Sequence, residues 1–178
     1  MILISVVVVT FNNQNTIQDC LDTLSESLAS YKSLVTVIDN DSHDKICDII
    51  SSGFFTQKFS QFEFIKNDNN IGFTKAVNQG LVGKSADFFL VLNPDVTMVK
   101  GTVQQLVKCL EEHPDAGAVA PQLRFPDGTI QPSCRTFPGK RDVIFEIFGM
   151  SRLFKNSQTF NRWKMPDFDH TTSQYVDQ

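Results

Sequence analysis

The first ten residues constrain the fold more than any other stretch. Ile2 to Val9 reads Ile-Leu-Ile-Ser-Val-Val-Val-Val, a short run dominated by β-branched residues. It is too short and too branched for a helix, and too uniformly apolar for a strand with one wet face. It predicts a strand buried on both faces, the mark of a parallel sheet. Parallel strands must be joined by crossovers long enough to hold a helix.

The rest of the chain supplies such crossovers. Strands are predicted at Leu34–Ile38, Phe62–Ile65, Phe88–Leu92 and Ala116–Ala120. Between them, Ile17, Cys20, Leu21, Leu24 and Leu28 recur at helical spacing, with Asn15 or Thr16 placed to cap their helix. Further helices are predicted over Asp44–Ser51, Phe73–Val82 and Thr102–Glu112, the last stopped by Pro114. Alternating strands and helices predict an α/β, mainly parallel sheet with helices on both faces. Right-handed crossovers then bring every strand's carboxyl end to one edge, where ligands of open α/β sheets bind.

After Pro121 the pattern changes. Leu123–Ile130 reads as a hairpin with an Asp127-Gly128 turn. Asp142–Phe154 reads as a helix with three candidate roles: packing on the sheet, contact with a membrane-borne acceptor, or pairing with another subunit as a homo-oligomer. From Lys155 the chain is polar and low in order signals.

Composition excludes several classes. The 178 residues suffice for a sizeable core, and 41% hydrophobic with 20% charged residues is ordinary for a globular protein. A net charge of -4 gives no polyanion-binding surface, so no nucleic-acid partner is expected. Cys20, Cys47, Cys109 and Cys134 form no CxxC pair and read as free thiols of a reducing compartment. The amino terminus has no basic residue before its apolar run and no small-residue cleavage site after it, so no secretion signal is expected. No stretch approaches the ~20 apolar residues of a membrane span. A cytoplasmic location is expected, with peripheral contact at the inner face of the membrane left open.

The loops at the shared edge are rich in Asn, Asp and Gly. Phe88–Leu92 runs into Asn93-Pro94-Asp95, and Pro94 cannot donate to a ladder, so pairing stops there. Asp95 is then a carboxylate at the end of a central strand, able to bind a hard cation; the rival reading is a simple turn. Asp39-Asn40-Asp41-Ser42 has the same two readings, ligand acceptor or Asx turn. Gly72 permits close backbone approach at a helix start, where free N–H groups favour anions, and Asn78 lies inside that helix. His43, His113 and His170 are scattered and read as solvated. Neither GxxxxGK[ST] nor a GxGxxG after the first strand is present.

Five segments in order carry a family resemblance: VVVVTFNN (6–13), VIDNDS (37–42), NIGFTKAVNQG (70–80), VLNPDV (91–96) and GAVAPQLRFPDGTIQPSCRTFPG (117–139). The chain resembles the nucleotide-sugar-binding part of a GT-A (Rossmann-like) glycosyltransferase of family 2, in its rhamnosyltransferase-like branch. The resemblance implies a nucleotide-sugar-binding domain over residues 1–139, and over 140–178 a helix and irregular tail leading toward an acceptor-binding half. It implies that Thr10, Phe11 and Asn12 line a base pocket and that Asp39 accepts from the base, with Asn40 and Asp41 nearby. Asn70, Gly72 and Asn78 would follow the ribose and diphosphate. Asn93 and Asp95 stand where the family's DxD motif holds a divalent cation, Mg²⁺ or Mn²⁺, with Asp95 as its ligand and Asn93 replacing the first Asp. The implied activity is inverting sugar transfer from a nucleoside-diphosphate sugar, dTDP- or UDP-linked, to a glycan or lipid-linked glycan acceptor in polysaccharide synthesis. The family's general base has no counterpart and is expected beyond Gln178; Asp167 and Asp169 match no motif. Two rivals remain: a non-catalytic nucleotide-binding or assembly module, and a nucleotidyltransferase, which would need a glycine-rich basic loop where TFNNQN stands.

Overall fold

The computed structural model describes residues 1–154, 157, 159–165 and 167–176. Strands β1 (Leu3–Thr10), β2 (Lys32–Asp39), β3 (Gln61–Lys66) and β4 (Phe88–Leu92) form one parallel sheet in the order β3-β2-β1-β4. β1 lies between β2, which it matches from Leu3↔Lys32 to Thr10↔Asp39, and β4, where Val6 faces Leu90. It is buried on both faces, as its composition predicts.

The period-two alternation of β1 sorts its side chains. Ile4, Val6 and Val8 pack with Ile17, Leu21 and Leu24 of α1 (Ile17–Ser27), Ile46 and Ile50 of α2 (Ile46–Ser51), and Val103 and Val107 of α4 (Thr102–Glu112). Val7 and Val9 face the other way, onto Ala76 of α3 (Phe73–Leu81). Helices therefore cover both faces. α3 comes unusually close at Gly80, where a Cβ would stand 2.8 Å and 2.9 Å from the two methyls of Val7 and 3.1 Å from Cδ1 of Ile38. Only glycine lets the helix sit that near the sheet.

Two predicted elements are corrected. Ala116–Ala120 forms no strand. Ala and Gly supply little side-chain packing for a pleated surface; among the described residues no strand pairs with them and β4 is an edge, with Phe89 51% and Val91 45% exposed. The helix predicted over Asp142–Phe154 is broken into α5 (Lys140–Ile147) and α6 (Met150–Leu153). Gly149 adopts φ +70 between them, and its N–H and that of Phe148 bond back to Glu146 O and Ile144 O, a glycine stop. Ile147 and Phe148 of this stretch are each 75% exposed.

The chain divides into two compact units, Met1–Val119 and Ala120–Gln178. In the second, the hairpin is present in minimal form: one antiparallel bridge, Arg124 to Ile130, closed over Gly128 at φ +84. Phe160 packs on Phe145 and Phe154, and the buried Asn161 amide donates to Ser151 O and Phe154 O at the end of α6. Asp169 accepts from Thr171 N–H and Oγ1, a local turn. The tail read from the sequence as leading toward a further half lies partly outside the described residues, which leave out Lys155, Asp177 and Gln178 among others.

Candidate functional site

The carboxyl ends of the four strands gather the polar loops of the first unit. Pairing continues one residue past β2: Asn40 N–H donates to Thr10 O at 2.8 Å, and Asn67 N–H donates to Asp39 O at 2.9 Å. This locks the starts of three loops together. A cavity of about 310 Å³ opens there. The end of β1 and the loop after it contribute Thr10, Phe11 and Asn13 to its wall, the loop after β2 contributes Asn40, the start of α3 and the segment before it contribute Phe73 and Asn70, and the loop after β4 contributes Asn93, Pro94 and Asp95.

Six of the predicted residues thus share one cavity: Thr10, Phe11, Asn40, Asn70, Asn93 and Asp95. Phe11 and Phe73 present exposed rings, 44% and 53%, which suit stacking on a flat apolar face. Thr10 sits deeper, 1% exposed, with its hydroxyl donating to Asn13 Oδ1 at 3.3 Å.

The other five do not line the cavity. Asn12, at φ +57, ties two loops: its N–H donates to Ser42 Oγ at 2.8 Å, and its Oδ1 accepts from His43 N–H at 2.9 Å. Asp39 is fully buried, accepting from Ser42 N–H at 3.1 Å and from the Cys47 thiol at 3.2 Å. Asp41 occupies the left-handed region at φ +73, beside these bonds. Gly72 caps α3 at φ +83, but its N–H is not free; it donates to Asn70 Oδ1 at 3.0 Å. Asn78 is exposed on α3, and its carbonyl receives Val82 N–H at the helix end.

Asn40 is 3% exposed and joins three segments. Its Oδ1 accepts from Ile71 N–H at 3.1 Å and Asn67 Nδ2 at 3.2 Å, while its Nδ2 donates to Asn70 Oδ1 at 2.8 Å. The fixed network pre-forms this side of the cavity. Asn13 and Phe73 are wall residues that the sequence reading did not single out. No sequence signal singled out Asn13, because its side chain bonds backward to the residue two before it rather than forward as in an Asx turn. Its Oδ1 accepts Phe11 N–H at 3.0 Å, and its backbone carbonyl receives Thr16 and Ile17 N–H. That carbonyl, rather than the predicted Asn15 or Thr16 side chain, secures the start of α1.

Asp95 is the one carboxylate among the described residues lining the cavity, and it is exposed, with Asn93 two residues before it. One carboxylate and one amide oxygen are hard donors but carry a single charge. Small divalent cations accept such a set when substrate phosphates and waters complete it. The pair therefore fits a cation arriving with a diphosphate. Among the described residues no group of three or more His, Cys, Asp or Glu forms a self-sufficient metal cage. Beneath the loop, Cys20 Sγ lies 3.5 Å from Asn93 O. Burial, and then the negative charge of Asp95, push the Cys20 thiol up to about 12.

The sequence model of the family Glycosyl transferase family 2 matches residues 5–173. The chain belongs to glycosyl transferase family 2. This family 2 chain is 31% identical over 93 residues to N-acetylglucosaminyl-diphospho-decaprenol L-rhamnosyltransferase of Mycobacterium tuberculosis (strain CDC 1551 / Oshkosh), a match covering 46% of this chain and 30% of the relative. The same match is found in strain ATCC 25618 / H37Rv, so the chain spans about a third of the length of these curated relatives. Among solved structures it is similar to S. aureus TarS 1-349 in complex with UDP-GlcNAc, with TM-score 0.53 and 23% identity over 69% of this chain and 38% of that one. It is also similar to the mannosyltransferase PcManGT from Pyrobaculum calidifontis in complex with GDP-Man and Mn²⁺, with TM-score 0.57 and 20% identity over 70% and 36%. These likenesses establish the GT-A fold for the family 2 chain.

Proposed function

We propose that the first unit binds a nucleoside-diphosphate sugar across this cavity and that the reaction served is inverting transfer to an acceptor hydroxyl. The observation that carries the reading is the convergence of the Thr10–Asn13, Asn40, Asn70–Phe73 and Asn93–Asp95 segments on one 310 Å³ cavity. Its makeup supports the assignment: exposed rings for a base, amides for polar groups, and Asp95 with Asn93 for the diphosphate end. A divalent cation held by Asp95 and Asn93 would supply charge neutralisation for the leaving diphosphate. The acceptor oxygen attacks the anomeric carbon, the bond to the diphosphate oxygen breaks with its electron pair, and a base takes the hydroxyl proton. Asp95 is committed to the diphosphate end, so no residue of the cavity is assigned as that base.

The name of the partly matching relative supports a lipid-linked glycan acceptor; with it goes the reading of a dTDP- or UDP-linked donor used at the inner face of the membrane in polysaccharide synthesis. Among the described residues no helix is long and apolar enough to cross a membrane, so such contact would be peripheral. Calorimetric titration with dTDP-, UDP- and GDP-sugars, with and without Mg²⁺ or Mn²⁺, tests the reading. The expected result is cation-dependent binding that Asp95→Ala weakens by about tenfold or more. Binding that ignores both the cation and Asp95→Ala would remove the role given to that residue. Robust transfer by this chain alone would overturn the absence of an assigned base.

A further inference from the structure

Three asparagine amides at the cavity have orientations that the backbone dictates. An N–H group can only donate, so the side-chain atom facing it must be the carbonyl oxygen. Phe11 N–H points at Asn13 Oδ1 (3.0 Å), Ile71 N–H at Asn40 Oδ1 (3.1 Å) and Gly72 N–H at Asn70 Oδ1 (3.0 Å). Asn40 then turns its Nδ2 onto Asn70 Oδ1 at 2.8 Å, and the Thr10 hydroxyl adds a second donor to Asn13 Oδ1 at 3.3 Å. Both wall residues have spent their acceptors on the protein. Among the described residues, neither Asn13 Nδ2 nor Asn70 Nδ2 has a partner. The two amides can offer a ligand only N–H donors.

Strand order says which end of a ligand meets them. Asp95 follows β4, at one side of the sheet, while Asn13 follows the central β1 and Asn70 follows β3 at the opposite side. A ligand with its diphosphate at Asp95 extends its nucleoside toward β1, β2 and β3. We propose that Asn13 and Asn70 form a donor-only amide pair that receives carbonyl oxygens of the nucleotide base, so that the cavity selects a keto-bearing base over adenine. The inference rests on the nucleotide-sugar reading above and adds Asn13 as a specificity-determining residue. A base lacking carbonyl oxygen would leave the fixed donors unpaired, and a site built to hydrogen-bond rejects such a ligand strongly.

Single-atom exchange tests this. Asn13→Asp and Asn70→Asp keep an acceptor for Phe11, Thr10, Asn40 and Gly72 but replace the ligand-facing NH₂ by oxygen. The whole chain is titrated with UDP, dTDP, GDP and ADP in Mg²⁺, and the readout is the affinity ratio of the tightest keto nucleotide to ADP. The added charge repels every diphosphate alike and cancels in the ratio. Each variant is expected to lower that ratio by about tenfold. Asn13→Ser, whose hydroxyl can still accept Phe11 N–H but is shorter, serves where thermal unfolding shows an Asp variant to be misfolded. A ratio unchanged in folded variants overturns the inference while leaving nucleotide binding intact. Failure of the unaltered chain to bind any of the four nucleotides overturns both.

Discussion

The thiol of Cys47 donates to Oδ2 of Asp39 at 3.2 Å. Asp39 is fully buried, and its other oxygen accepts from Ser42 N–H at 3.1 Å, so the thiol is part of the carboxyl's limited supply of donors. Cys47→Ala removes one donor from a buried group and is expected to cost about 1–3 kcal/mol in denaturant unfolding. Cys47→Ser restores an O–H donor and should recover part of that loss. Equal losses in the two variants would mean that the bond contributes nothing.

The same contact bears on reactivity. Burial and the hydrogen bond to Asp39 push the Cys47 thiol up. Its thiolate is scarce at neutral pH, so alkylation by a thiol reagent should be slower than in the unfolded chain and should accelerate as pH rises. Mass spectrometry of partially alkylated protein measures both rates.

Cys20 sets a pH dependence of stability. Its folded value, about 12, lies above the 9.0 of an ordinary thiol. Between those values the unfolded state has lost a proton that the folded state keeps. The contribution is therefore complete below pH 9.0 and declines as pH rises toward 12, by about 1.4 kcal/mol per pH unit at most. Melting curves of wild type and Cys20→Ala from pH 8 to about 10.5 should converge as the wild type loses this advantage. Parallel curves would count against the shift.

Gly80→Ala should destabilise the fold. The new methyl would stand 2.8 Å from a buried, β-branched Val7 side chain that cannot swing away. Overpacking costs about 1–3 kcal/mol, against a helix-propensity gain of about 1 kcal/mol. A stabilised Gly80→Ala protein would show that α3 shifts freely on the sheet.

Asn40→Ala strips the acceptor from Ile71 N–H and the donor from Asn70 in one change. The expected loss is about 1–3 kcal/mol, with weaker nucleotide binding because Asn70 is no longer held. Asn40→Asp keeps the acceptor but sets an oxygen against Asn70 Oδ1, so it should preserve more stability than Asn40→Ala while still weakening binding. Denaturant midpoints and calorimetry separate the two effects.

Apolar runs made most of the first unit legible in the sequence. β4 and α4 match their predicted bounds, and β1, β2 and β3 differ from theirs by a residue or two at the ends. Failures came where small or flexible residues govern. Ala116–Ala120 resembles a strand by alternation, yet its side chains have too little surface to hold one. Gly149 was a visible helix stop inside the Asp142–Phe154 stretch. The site was legible as loops, not as orientations. That Asn12 ties to Ser42 rather than lining the wall, and that Asn40 holds Asn70 and Ile71, depends on bonds between loops about thirty residues apart, which spacing along one chain does not reveal.

The central place of β1 has a consequence for how this protein is made. During synthesis β1 emerges before its partners and pairs with β2 on one side, but its other side waits for β4, where Ile4 meets Phe88 and Leu3 N–H reaches the Asp87 carboxylate 84 residues later. Until that segment emerges, a valine-rich strand carries one unpaired edge. At a synthesis speed of about 5–20 residues per second, the delay lasts roughly 4–17 s. Closing so distant a pair is slow in itself. Translation tempo across the stretch from Asn40 to Leu92, and access to chaperones during that interval, should therefore govern yield more than changes on the exposed face of α4.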